Sequence, residues 1–320
     1  MFRILLVWGS LFCGLSLTIG QEPEKHWLDP ANRFVPKMQT LGGFYFWQDI
    51  RFQGEWRIQY NVFLKHYRLL NPQSVQYAIG SLKTCETELQ AQNLPPMQGR
   101  VLILVHGFGA NRLLLQRMAG WFRQRGHYSA VLNVTYPSTS VTIQEQAAVI
   151  GKIVERLEGV ESIDLVGHSL GSLILRCYLG NPPGGTPGTL PDPRIHRFVQ
   201  ICPPNQGSAL AARANQAHLS EVFSLLPLHD LGQDGETLQE LCGTPACEFG
   251  IIAGGKGDDQ GYSPTLPGDD DFVISVSTTP LPGASDYLLL PGMHSVIPNT
   301  LATFEYVERF LETGAFQNAP

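Results

Sequence analysis

The sequence has no excess of basic residues: 22 lysines and arginines stand against 28 aspartates and glutamates, a formal net charge of -6. That balance leaves no electrostatic footprint for nucleic acid. Cysteine is sparse, six in 320 residues, with no Cys-x-x-Cys pair and with the histidines scattered, so the spacing of a metal site is absent. No cofactor is expected. Internal repeats and an interdomain linker are lacking, and beyond residue 20 no apolar run is long enough to span a bilayer. A nucleic-acid partner, a metallo-domain and a repeat scaffold are therefore excluded, and the 43% hydrophobic content is enough to bury a substantial core.

What is present begins with a short basic start, Met-Phe-Arg, followed by an apolar run from Ile4 to Ile19 and small residues before Gln21. Residues 1–20 are expected to be a secretory signal peptide, which predicts a secreted or periplasmic protein; an uncleaved signal acting as a membrane anchor is the alternative. Cleavage would leave five cysteines, an odd number for an oxidising compartment. Cys242 and Cys247 flank Gly-Thr-Pro-Ala and are the expected disulfide, whereas Cys177 is expected to be a small buried apolar residue.

Residues 21–98 form a first region: an aromatic-rich hairpin around Gln53-Gly54-Glu55, then a helix expected over Ser74 to Gln92 from the spacing of Val75, Ala78, Leu82, Cys85 and Leu89. From residue 99 the pattern changes. Val101 to Val105 is a continuous apolar run of the kind found in parallel strands buried on both faces. Strand-like runs then alternate with helical ones: a helix over Leu113 to Gln124, a strand over Ser129 to Val134, a helix over Ile143 to Leu157, and a strand over Ser162 to Val166. Such alternation predicts βαβ units and a mostly parallel sheet with helices on both faces, an α/β fold occupying residues 99–320. Between about residues 208 and 248 the strand pattern lapses into short amphipathic helices, either a lid over a site or an ordinary packed excursion. Strands at Phe249 to Ala253 and Ser285 to Leu290 and a helix at Leu301 to Leu311 close the chain.

The chemistry concentrates at Gly167-His168-Ser169-Leu170-Gly171, where the strand gives way abruptly to a helical pattern. A serine at the tip of a strand–turn–helix is exposed as a nucleophile, and glycines two residues to either side let strand and helix approach closely. A serine hydroxyl alone is a poor nucleophile. It requires a histidine base, a carboxylate to orient that base, and donors for the oxyanion.

His106-Gly107-Phe108-Gly109 after a buried strand, Gly-His-Ser-Leu-Gly two strands later, Pro-Pro-Asn-Gln-Gly-Ser after the next, and Pro-Gly-Met-His-Ser-Val-Ile-Pro near the end together resemble the α/β-hydrolase superfamily, in its bacterial lipase and esterase branch. The resemblance covers roughly Gly99 to Leu311. It implies Ser169 as nucleophile, His294 as general base, and the backbone N–H groups of Phe108 and Leu170 as the oxyanion hole. It makes His106 structural and His168 a neighbour of the site. For the acid it implies Asp271, with Asp270 the near alternative and Asp258 the distant one; Phe272 departs from the glycine that many relatives carry there. The implied function is a secreted serine hydrolase acting through an acyl-enzyme on carboxylic esters, small or lipid-like. An acyltransferase or thioesterase with the same triad, and a noncatalytic lipid-binding protein, are the rival readings.

Overall fold

The computed structural model describes residues 37–40, 46–222 and 224–317. The expected signal segment, most of residues 21–39 and the aromatics Phe44 and Tyr45 lie outside the described residues.

The first region is an antiparallel five-stranded sheet. Its strands are β1 (Met38–Gln39), β2 (Trp47–Gln53), β3 (Trp56–Asn61), β4 (Tyr67–Leu70) and β5 (Val75–Gly80), in the order β1-β5-β4-β3-β2. The expected hairpin is β2 and β3. The expected helix over residues 74–92 needs correction: its first half is β5, and only Leu82–Ala91 form helix α1. The two readings share residues because Ala78 points inward from the strand while Cys85 and Leu89 point inward from the helix, which together mimic a single helical period. Gly80 (φ 139°) and Ser81 separate them; the Ser81 side chain caps α1 by accepting from Thr84 N–H. Helix α1 covers one face of this sheet, packing Cys85 and Leu89 on Ile58, Leu69 and Ala78.

The second sheet has six parallel strands: β6 (Gly99–Val105), β7 (Ala130–Val134), β8 (Val160–His168), β9 (Ile195–Ile201), β10 (Glu248–Gly255) and β11 (Asp286–Pro291). Their order is β11-β10-β9-β8-β6-β7. Between them run α2 (Gln116–Arg125), α3 (Ile143–Glu155), α4 (Leu170–Gly180) and the short helices α5 (Ala209–Gln216), α6 (Leu219–Val222), α7 (Leu226–Leu231) and α8 (Gly235–Cys242); α9 (Leu301–Thr313) closes the chain. Alternation along β6 divides the core. Val101, Ile103 and Val105 face α3 and α4, whereas Leu102 and Leu104 face α2 and α9. Full burial of each such side chain contributes about 1.5–3 kcal/mol, so both faces hold the sheet in place under the site.

The chain leaves β6 toward β7 on one side and returns to β8 on the other. The loops after β6 and β8 meet at the carboxyl ends of adjacent strands, and the helices they lead into, α2 and α4, diverge to opposite faces of the sheet, the place where open α/β sheets hold their ligand crevice.

The insertion is a packed excursion along much of its length. Ala211, Leu231, Leu238 and Cys242 join the core that α4 builds. Arg176, buried on α4, donates to Gly243 O (2.8 Å), Asn205 O (3.0 Å) and Gln239 Oε1 (2.7 Å). A disulfide links Cys177 to Cys242, across 65 residues, and Cys247 is a free thiol. This corrects the expected Cys242–Cys247 pair. Cys177 faces out of α4 toward α8, and Gly180, without a side chain, lets the α8 carboxyl end close on α4, since a Cβ there would lie 2.5 Å from Cys242 O.

Candidate active site

Strand β8 ends at His168 and α4 begins at Leu170, so Ser169 alone makes the turn, at φ 53° and ψ -122°. This left-handed backbone is costly for a non-glycine residue and is kept where the surroundings over-determine it. They do so here. Ser169 N–H donates to Ile201 O (2.9 Å), and Ser172 Oγ donates to Gly167 O (2.8 Å). The two glycines of the motif have steric reasons: a Cβ on Gly167 would lie 2.6 Å from Ser172 N, and one on Gly171 would collide with the carbonyl oxygens of Val105 and His106.

The loop after β6 comes against the same turn, where a Cβ on Gly107 would lie 3.0 Å from Ser169 Cβ. Leu170 is the first residue of α4, so its N–H has no acceptor within the helix. His106 anchors the loop beneath. Its ring stacks on Tyr136 (4.3 Å, 19°), its Nδ1 is 3.0 Å from Gly107 O, and its own carbonyl accepts from Tyr136 Oη (2.6 Å). Complete burial lowers the His106 pKa to about 4, so the ring is neutral and does not carry protons near neutrality.

His294 lies in the loop after β11, and its Nδ1 is 2.6 Å from Asp271 Oδ2. The backbone zips the two loops together, with His294 N–H donating to Asp271 O (2.8 Å). The other Asp271 oxygen accepts from Val273 N (3.0 Å) and Ile274 N (2.7 Å), which fixes the carboxylate in a buried position.

The neighbouring acids are used differently. Asp269 accepts from Lys256 N and Gly257 N, while Asp270 accepts from Ser263 N (2.9 Å) and Phe272 N (2.6 Å). Asp258 caps an exposed turn through Gln260 N and Gly261 N, bonds that hold its carboxyl below the usual range. Of the three candidates for the acid, Asp271 is the one placed against His294. Phe272, in the position where glycine was expected, has φ 84°, so the turn keeps the glycine-type backbone with an aromatic side chain on it. Sequence reasoning missed Cys202, which follows β9 with φ 50° and is fully buried; burial first, and the neighbouring Asp271 charge second, push its thiol well above the usual cysteine range. A cysteine at the end of an apolar strand gives no such signal.

A serine at a strained turn, an imidazole held by a buried carboxylate and N–H groups at a helix start are the parts of an acyl-transfer site. Among solved structures, the lipase BlEst2 of Bacillus licheniformis in its propeptide form matches with a TM-score of 0.52 and 16% identity, over 70% of this chain and 51% of that one. The lin2722 product of Listeria innocua matches with a TM-score of 0.47 and 17% identity, over 68% of this chain and 95% of that one. The metagenomic carboxyl esterase MGS0156 matches with a TM-score of 0.45 and 16% identity, over 69% and 76%. The chain has the α/β-hydrolase fold. It belongs to the family described as a domain of unknown function, DUF7379, whose model matches residues 66–243 and so spans the loop after β6 and the Ser169 turn but stops short of Asp271 and His294. Among curated proteins none matches the sequence.

Proposed function

We propose that the protein is a serine hydrolase of carboxylic esters, in which Ser169, His294 and Asp271 form the catalytic triad. The observation that carries this reading is the 2.6 Å contact of Asp271 with His294 Nδ1 at the same end of the sheet as Ser169 at its strained turn. Asp271 fixes the tautomer that leaves His294 Nε2 bare. That nitrogen takes the proton of Ser169 as Oγ attacks the ester carbonyl, and the N–H groups of Phe108 and Leu170 hold the oxyanion. The imidazolium gives its proton to the departing alcohol. Water, deprotonated by the same nitrogen, then releases the acid and regenerates Ser169.

Lipid-like esters are the favoured substrates. Exposed Met293 and Val296 flank His294, and exposed Leu113 follows the oxyanion loop, an apolar rim that fits an acyl chain better than a polar group. Secretion is part of the proposal: the Cys177–Cys242 disulfide suits an oxidising compartment, as does the apolar segment at the start of the chain. Transfer of the acyl group to another alcohol, or cleavage of a thioester, would use the same residues, and product analysis separates them. A noncatalytic lipid-binding protein would not take up an active-site phosphonate.

The test is hydrolysis of p-nitrophenyl esters over a range of chain lengths by the parent and by Ser169→Ala. The substitution is expected to lower kcat by roughly 10⁴- to 10⁶-fold with the melting temperature nearly unchanged. Turnover retained within about tenfold of the parent would exclude Ser169 as the nucleophile.

A further inference from the structure

His168 is 2% exposed and stands between the three segments that form the site. It precedes Ser169 in the chain. Its Nε2 is 3.0 Å from the carbonyl oxygen of His294, and its ring lies 4.7 Å from the His294 ring at 49°. On the other side its Nδ1 borders the oxyanion loop, where a Cβ on Gly107 would come within 3.1 Å of it.

A carbonyl oxygen only accepts, so Nε2 carries the hydrogen and Nδ1 is bare; Nδ1 is buried and has no hydrogen-bond partner. Two imidazoles this close cannot both carry a proton at low cost. Burial, reinforced by the His294 ring alongside, holds His168 well below the usual histidine range, which keeps it neutral and leaves the proton of each half-reaction to His294.

We infer that His168 is a positioning residue for the general base: its Nε2–H, donated to the His294 carbonyl, ties the base-bearing loop to the nucleophile turn and sets the distance between base and serine. The inference rests on the proposed hydrolase reading, because it gives His294 its role. Asp271 holds the ring of His294 and its amide; His168 holds its carbonyl. The two contacts grip the residue from separate directions, so removing either one frees a different movement.

The experiment compares His168→Leu, which removes the donor, with His168→Gln, whose Nε2 amide can reach the same carbonyl. Labelling by a fluorophosphonate counts competent serines, so that kcat is expressed per labelled site. His168→Leu is expected to lower kcat per site by about 10- to 100-fold, the scale of an ångström's misplacement of a catalytic group, with KM little changed; His168→Gln should recover most of it. A residue that served only the fold would reduce the number of labelled sites and leave kcat per site intact.

Hydrogen exchange of residues 292–297 supplies a readout free of turnover. It should quicken in the leucine variant and not in the glutamine variant. Equal rates and equal exchange in all three proteins would overturn the tether, as would equal impairment of both variants. If His168→Leu does not fold, His168→Asn, too short to reach the carbonyl, takes its place with the same expected outcomes. A parent that neither turns over esters nor takes the label would refute the hydrolase reading alone, while faster exchange in the leucine variant would still establish the tether.

Discussion

At the scale of single residues, three consecutive aspartates illustrate how little charge type decides and how much placement does. Asp269, Asp270 and Asp271 all accept backbone N–H bonds, and one of them also meets His294. The run Asp-Asp-Asp-Phe in the sequence left the register open by one residue, because composition is uniform across it; the pairing of His294 N–H with Asp271 O sets it. Opposite outcomes are expected for the two neighbours. Asp271→Asn should lower kcat by about 10⁴-fold, the consequence of a wrong histidine tautomer, with little change in KM. Asp270→Asn should leave kcat within a few fold but destabilise by roughly 1–3 kcal/mol, since its amide oxygen can keep the two N–H bonds of Oδ1 while its NH2 is buried at the Oδ2 position, which has no hydrogen-bond partner. Steady-state kinetics paired with urea denaturation of both variants distinguishes them, and a severe kcat defect in Asp270→Asn with a silent Asp271→Asn would move the acid by one position.

At the scale of elements, the parallel sheet was legible because its strands are continuous apolar runs and its helices keep a 3.6 period; the turn at Ser169 was legible because glycine spacing reports close approach of backbone. Two things were not. The strand β5 and helix α1 together carry one run of apolar residues at three- and four-residue intervals, and periodicity cannot tell a strand joined to a helix from one longer helix. The disulfide was misplaced because proximity in sequence is a weak guide to pairing when two helices bring distant cysteines together. Cys242 lies on α8, which packs along α4, and Pro245 leads Cys247 away toward β10. A loop of 65 residues gives, on the chain-entropy estimate, about 4 kcal/mol of stabilisation. Melting with and without reductant checks this: the reduced protein, and Cys242→Ala in either condition, should melt several degrees lower than the oxidised parent. Identical melting curves for oxidised and reduced parent would mean that no such bond forms.

At the scale of the whole molecule, the two sheets are joined by polar groups as well as apolar ones. Asp49 N–H donates to Thr135 O (2.9 Å) beyond the end of β7, Thr135 N–H returns the bond to Asp49 Oδ2 (2.7 Å), and buried Arg57 donates to Asn133 O (3.2 Å). Burial raises the Asp49 pKa, the Arg57 charge opposing. A carboxyl whose folded pKa is raised contributes stability at acid pH that fades as pH rises, so this junction does not make the protein acid-labile. The buried histidines act in the other direction. His106 falls from 6.5 to about 4 and His168 falls well below 6.5, both through loss of water around the charged ring. A histidine lowered in the folded state gives its full stability above the unfolded pKa and loses it as pH falls toward the folded one. For His106 alone the drop corresponds to roughly 3 kcal/mol. Stability should therefore decline as pH falls from about 6.5 to about 4, with unfolding exposing rings that then take up protons. Urea midpoints measured across that interval test the expectation, and His106→Asn, which removes one of the two rings, should be less stable at pH 7 yet show a shallower decline. A parent and a His106→Asn variant whose midpoints change alike through the interval would mean that the His106 ring is not held neutral by the fold.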